Sequence, residues 1–114
     1  MERIKPIIIH DEEHGKDYTL EFSRDSVKFA EQRGFKLEDL DLYPMTKIPE
    51  FFWYAFRMHH PKISLRDAED LLYKLGGLND ALSKRLGELY SAPFEYLSGD
   101  DEEEGKNSKV TVEL

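Results

Sequence analysis

Two segments near the N-terminus have the hydrophobic pattern of short β-strands. Residues 5–9 contain a β-branched run, and residues 18–22 alternate between apolar and polar side chains. The polar stretch of residues 10–17, which includes Gly15, lies between them. We therefore predict a β-hairpin with a loop of several residues, and Pro6 indicates an edge strand. Because two strands alone are only marginally stable, the hairpin must pack against helices.

The pattern changes to helical spacing at Ser23, which we predict as the N-cap of a first helix. Phe22 and Val27 are placed to form a hydrophobic staple, and Gly34 marks the end of this helix. We interpret residues 37–43 as a linker, although they include several leucines.

A second helix is predicted from Pro49 to His60, because proline suits the first helical turn and Pro61 stops the helix. It contains the most aromatic stretch of the chain, residues 51–56.

Two further helices have clear start and stop signals. Ser64 and Asp67 have the spacing of a capping box, and the apolar stripe that follows ends at Gly76. The last helix begins at an Asn79 cap, and Pro93 kinks or ends it. Together with the hairpin, these elements predict a predominantly helical α+β domain with about four helices.

The composition changes again at the C-terminus. Residues 100–104 are all acidic, and no residue nearby is available to form a core. The final residues 109–114 alternate like a strand that could pair with an exposed sheet edge. We predict one globular domain over residues 1–98 and a flexible, disordered acidic tail over residues 99–114.

The aromatic helix is the best candidate for a functional surface. Helical geometry places Phe51 and Phe52 on its core face, whereas Trp53 and Tyr54 project towards the other side. Either this helix is wrapped on all sides, or it offers a second apolar face to a partner. Residues on this helix and on the last one form the predicted partner-binding set: Trp53, Tyr54, Arg57, Tyr90, Phe94 and Tyr96.

Charge and cysteine content exclude several classes of function. The chain has 24 acidic and 16 basic residues, for a formal net charge of -8, and it contains no basic stripe. Nucleic acids and anionic membranes are therefore not expected partners. The absence of cysteine removes disulfides and thiolate nucleophiles, and the apolar runs are too short to cross a bilayer. We expect a soluble cytoplasmic protein without a cofactor.

Histidines provide the remaining candidate chemistry. His10 and His14 have the spacing of a helical zinc motif, but their segment is predicted as a loop. His59 and His60 are adjacent, so on a helix their rings diverge. A metal-dependent enzyme that uses His10, His14 and His59 is the least favoured alternative. We predict no enzyme activity and no metal site.

The order of these motifs resembles a known family. An N-terminal strand pair, a helix with the sequence VKFAE, a Phe-rich helix, and a capped helix after an HPKIS connection occur in that order over roughly residues 4–97. In this order and length, the chain resembles the small tail assembly chaperones of long-tailed, siphovirus-type phages and prophages.

This resemblance implies a function without catalytic residues. Such a chaperone binds the tape measure protein and keeps it soluble in the host cytoplasm while tail tube subunits assemble, and it is absent from the finished virion. Members of the family often form homo-oligomers, and unpaired strand edges in this chain would favour self-association. The alternative from another class is a small acidic regulator or adaptor that binds a basic protein surface.

Overall fold

A computed structural model describes residues 4–97 and 113–114. The elements in chain order are β1 (Ile7–Asp11), β2 (Lys16–Leu20), α1 (Arg24–Gln32), α2 (Asp39–Leu42), α3 (Pro44–Tyr54), α4 (Leu65–Leu75), α5 (Asp80–Ser91) and a 3-10 helix (Ala92–Leu97). The predicted α+β class, with a hairpin on a mainly helical domain, is confirmed. The predictions of a disordered acidic tail and a terminal strand fall largely on residues 98–112, which lie outside the described residues.

The two strands form an antiparallel hairpin in which Ile7 pairs with Leu20. The outer edge of β2 is bonded to the segment that follows α3. The Thr19 N–H donates to His60 Nε2 at 3.0 Å, and the Glu21 N–H donates to the Ala55 carbonyl at 2.9 Å. Our expectation of self-association had assumed open strand edges. These bonds close this edge of β2.

Local side-chain caps begin three of the helices, as predicted. The Ser23 hydroxyl accepts the Ser26 N–H at 3.1 Å, and the Ser64 hydroxyl accepts the Asp67 N–H at 3.0 Å. The Asn79 side chain caps α5 in the same way. These bonds satisfy backbone donors that have no partner inside the helix.

The central helix differs from the prediction. It runs from Pro44 to Tyr54, so the predicted bounds of residues 49–60 are wrong at both ends, and α2 forms within the predicted linker. Pro44 occupies the favourable first turn, which leaves Pro49 in the helix interior. Pro49 has no N–H to donate to the Met45 carbonyl, but the following turns are held by burial of their side chains.

A core of aromatic side chains connects α1 and α5 to α3. The rings of Phe35 and Phe51 stack with their centroids 5.5 Å apart, and Tyr90 contacts Phe51 edge to face at 5.6 Å. Phe51 and Phe52 are both buried, as predicted from helical geometry. Within residues 4–97 and 113–114, no helix has the length and hydropathy that crossing a membrane requires.

Candidate partner-binding surface

Tyr54 belongs to the predicted partner-binding set, but the structure buries it, in agreement with the alternative that the aromatic helix is wrapped on all sides. Its side chain is only 1% exposed and contacts the rings of Phe29 and Phe35. Helix α1 and the residues after it cover the side of α3 that helical geometry alone left open. Burial raises the pKa of the Tyr54 hydroxyl above its ordinary value.

Trp53 and Arg57 lie at the edge of the same cluster. The Trp53 indole N–H donates to the Ile63 carbonyl at 2.9 Å, and its ring contacts Phe29 edge to face. The Arg57 guanidinium lies 3.6 Å from the centroid of the Phe29 ring, and Arg33 lies 5.4 Å from that of Trp53. Both predicted binding residues are thus engaged in intramolecular contacts.

The predicted patch on the last helix is divided between core and surface. Tyr90 is buried, which corrects its placement on a binding face, because the rings of Phe22 and Phe51 enclose it. Burial, with a smaller effect from the Glu31 charge, raises the pKa of Tyr90 to about 12. Phe94 is exposed, and the Tyr96 side chain lies outside the described part of the chain.

An open apolar groove lies elsewhere, between the N-terminal half of α3 and the C-terminal half of α4. Its volume is about 570 Å³. The lining residues are Pro44, Met45, Ile48, Pro49, Glu69, Leu72, Tyr73, Gly76, Gly77 and Leu78. The groove ends where α4 stops at Gly76, which adopts a left-handed conformation with φ 87°.

Two highly exposed large apolar side chains line this groove, and two more lie next to it in the chain. Met45 is 86% exposed and Tyr73 is 85% exposed, and Leu42 and Tyr43 are exposed immediately before α3. Single exposed apolar residues are ordinary on a protein surface, but a group of them beside a groove is typical of an interaction site. Methionine also adapts its shape to different partners.

Sequence reasoning missed this groove because it interpreted residues 37–43 as a linker and began the helix at Pro49. A usable signal was present: if Pro44 is read as the first helical residue, Met45 and Ile48 fall three positions apart on one face. The position of α4 across from them is a tertiary feature that no local pattern gives.

Among the described residues that line the groove, Glu69 is the one with a charge. It lies one helical turn before Leu72 and Tyr73, so its carboxylate shares their face of α4. Within the described residues Glu69 forms no ion pair. The nearby Lys74 is engaged instead by Glu13 at 3.7 Å and by Asp70 at 3.4 Å, and these two charges raise its pKa.

A polar cleft of about 400 Å³ lies between the hairpin turn and α4. Its residues include Asp11, His14, Tyr18, His60 and Lys74. The Asp11 carboxylate bonds the His14 ring at 2.9 Å, and this bond is the main cause of the lowered pKa of Asp11. The side chains of the cleft carry both signs of charge, so they select no single class of ligand.

The cleft also contains the candidate metal ligands. Atoms of Asp11, Glu13 and His14 lie within 4.8 Å of one another, but Lys74 already places a cation beside Glu13. The three histidines of the enzyme alternative bond to separate acidic side chains. The pairs are His10 with Asp17, His14 with Asp11, and His59 with Glu21. The structure does not assemble them into one metal site.

His60 bonds to the backbone of the hairpin, whereas the other three histidines bond to acidic side chains. Its Nε2 accepts the Thr19 N–H, so the ring is neutral in this arrangement, and its edge packs against Tyr18. Burial, with the neighbouring His59 charge as a smaller cause, lowers the pKa of His60. This histidine holds the hairpin onto the helices.

Comparison with known proteins gives a family without an assigned activity. No curated protein and no solved structure matches the chain. One family does, over residues 3–114, and it is described as a domain of unknown function. Since the match extends over nearly the whole chain, the protein belongs to the DUF5055 family.

Proposed function

We propose that this protein is a non-enzymatic tail assembly chaperone that binds and solubilises the tape measure protein of a siphovirus-type phage or prophage in the host cytoplasm. The observation that carries the proposal is the open apolar groove between α3 and α4, with Met45 and Tyr73 almost fully exposed at its edges. A tape measure protein is long and helical, and during assembly its apolar stripes need to be covered.

The shape of the groove suits a helix. Helices α3 and α4 pack side by side, and the surface between two packed helices accepts the side-chain ridge of a third. An amphipathic helix would place residues i, i+3, i+4 and i+7 in the groove. Met45 and Tyr73 then contact the stripe from opposite walls, since one belongs to α3 and the other to α4.

The order of elements also favours this proposal. The hairpin, the VKFAE helix, the Phe-rich helix and the capped α4 follow one another as in the chaperones that the sequence resembles. Homo-oligomers, and contacts with tail tube subunits, belong to the same proposal. The exposed apolar residues of the groove supply surface for either kind of contact.

Co-expression with fragments of the tape measure protein from the same genome tests the proposal. The wild-type chain should keep a fragment soluble, and the double variant Met45→Ser, Tyr73→Ser should bind it at least roughly tenfold more weakly, because interface anchors commonly contribute about 2 kcal/mol each. Circular dichroism should show the same helical content for both proteins.

Met58→Ser is the matched control, because Met58 is 42% exposed but lies outside the groove. This variant should keep wild-type binding. A wild-type chain that leaves every tape measure fragment insoluble would contradict the proposal, and so would a genome that encodes no such protein.

The acidic adaptor is the second candidate, and the exposed acidic side chains of α4 favour it. Asp67, Glu69 and Asp70 line a shallow polar surface next to the groove, where Arg66 is the basic residue. An adaptor of this kind would lose its partner in about 0.5 M salt, since surface charges are screened within a few ångströms there. The Met45 and Tyr73 substitutions would leave its binding unchanged.

A further inference from the structure

We infer that the groove selects amphipathic helices that carry a lysine or arginine beside their apolar stripe, and that Glu69 is the selecting residue. This inference rests on the proposed function of the groove and specifies its partner. The Glu69 carboxylate lies in the groove lining, and within the described residues it forms no ion pair.

Glu69 is placed where a bound helix would cover it. It shares a face of α4 with Leu72 and Tyr73, which line the groove, and it is itself part of the lining. The nearest basic residue is Arg66, which lies three positions before Glu69 on α4 and lines the adjoining polar surface, but no ion pair joins the two within the described residues. Two lysines are engaged elsewhere: Lys74 with Asp70 and Glu13, and Lys47 with Glu50. The Glu69 carboxylate is therefore left for a partner.

The physical chemistry of such a site discriminates between partners. An apolar helix that covers Glu69 removes water from its carboxylate, and this desolvation is unfavourable unless a hydrogen-bonded cation replaces the water. A lysine or arginine at the edge of the stripe supplies that cation, whereas a glutamate at the same place is repelled. Hydrogen bonds to charged groups commonly contribute enough to change affinity roughly tenfold.

Two synthetic helical peptides test the inference on the full chain. Both have the same Leu stripe, and one has Lys at the positions that flank the stripe whereas the other has Glu there. Titration should show that the wild type prefers the Lys-flanked peptide by roughly tenfold. Glu69→Gln should remove this preference, and Glu69→Lys should reverse it.

Glu88→Lys is the matched control, because Glu88 is an exposed residue of α5 outside the groove lining. It changes the net charge as much as Glu69→Lys does, but it should keep the wild-type preference. A preference that shifts equally in both variants would mean that net charge, rather than Glu69, selects the peptide, and would overturn the inference.

Failure of the inference is distinguishable from failure of the proposed function. Equal binding of both peptides, or binding of neither, overturns selection by Glu69, and the solubility of the tape measure fragment then decides the proposed function separately.

Sedimentation tests whether something other than a partner helix occupies the groove. A dimer that Met45→Ser, Tyr73→Ser converts to monomer without altering peptide binding would assign the groove to a second copy. A preference seen only after deletion of residues 99–114 would assign it to the chain's own C-terminus.

Discussion

The two halves of helix α3 contrast in their surroundings. The C-terminal half contributes Phe51, Phe52 and Tyr54 to the core, and each of these side chains is at most 2% exposed. The N-terminal half carries Met45 and Ile48, which line an open groove. Both halves carry large apolar side chains, but the aromatic ones are all in the C-terminal half.

The difference comes from which other elements reach each half. Phe29 of α1 and Phe35 contact the C-terminal half from one side, and Tyr90 of α5 contacts it from another. The N-terminal half packs against α2 and α4 and leaves the groove beside them. An aromatic cluster in a sequence therefore indicates the centre of the fold here, and the proposed binding surface lies on the less aromatic part of the same helix.

The largest expected effect comes from truncating the buried half. Phe52→Ala should reduce the free energy of unfolding by about 3 to 5 kcal/mol, because it removes a ring from a closed core. Met45→Ala, in the open half, should change it by less than about 0.5 kcal/mol. Urea denaturation of both variants measures the contrast, and similar losses from the two substitutions would show that the halves do not differ.

An intermediate effect is expected at the boundary of the buried cluster. Trp53→Phe keeps a ring but removes the N–H that donates to the Ile63 carbonyl, so the free energy of unfolding should fall by about 1 kcal/mol. Thermal or urea denaturation reports this loss. If Trp53→Phe left stability unchanged and weakened partner binding instead, the binding surface would extend around α3 to Trp53.

The smallest expected effect is a pH dependence from His60. The unfolded chain has an ordinary histidine pKa near 6.5, and the folded state has a lower one, so the unfolded state takes up the proton first. The stabilising contribution of His60 should be complete above about pH 6.5 and should decline as the pH falls below it. Melting temperatures between pH 7.5 and pH 5.5 measure this decline.

Other charged or titratable residues lie near His60, so the comparison of melting temperatures needs matched variants. These neighbours are Glu21, His59 and Lys62. In His60→Gln the amide oxygen can still accept the Thr19 N–H, but it does not titrate, and this variant should lose less stability on acidification than the wild type. His10→Gln is the control, because it replaces an exposed histidine of β1 that does not contact His60. Identical acid sensitivity in all three proteins would exclude His60 as its source.

Much of the fold could be predicted because its signals are local. Ser23, Ser64 and Asn79 cap helices through bonds to residues only three positions away, and the alternation of the strands gives the hairpin directly. The start of α3 was missed because Pro44 and Pro49 both suit a first turn. Only the packing of distant elements decides between them.

The candidate site was harder to predict for the same reason. Helical geometry correctly separated Phe51 and Phe52 from Tyr54, but it could not show that Phe29 and Phe35 cover the opposite side of the helix. Tyr73 is exposed and Tyr90 is buried, although both follow leucine-rich stretches. Their environments depend on which helices become neighbours, and a single sequence does not state this.

The bonds along the outer edge of β2 have a consequence for the order of folding during synthesis. Thr19 and His60 are 41 positions apart, and the Glu21 side chain meets His59 across 38 positions. The ribosome makes the hairpin before it makes α3, but a two-stranded hairpin is only marginally stable by itself. It gains its edge bonds only after α3 and the turn behind it have emerged, so the two strands become secure only once residues 55–60 are available.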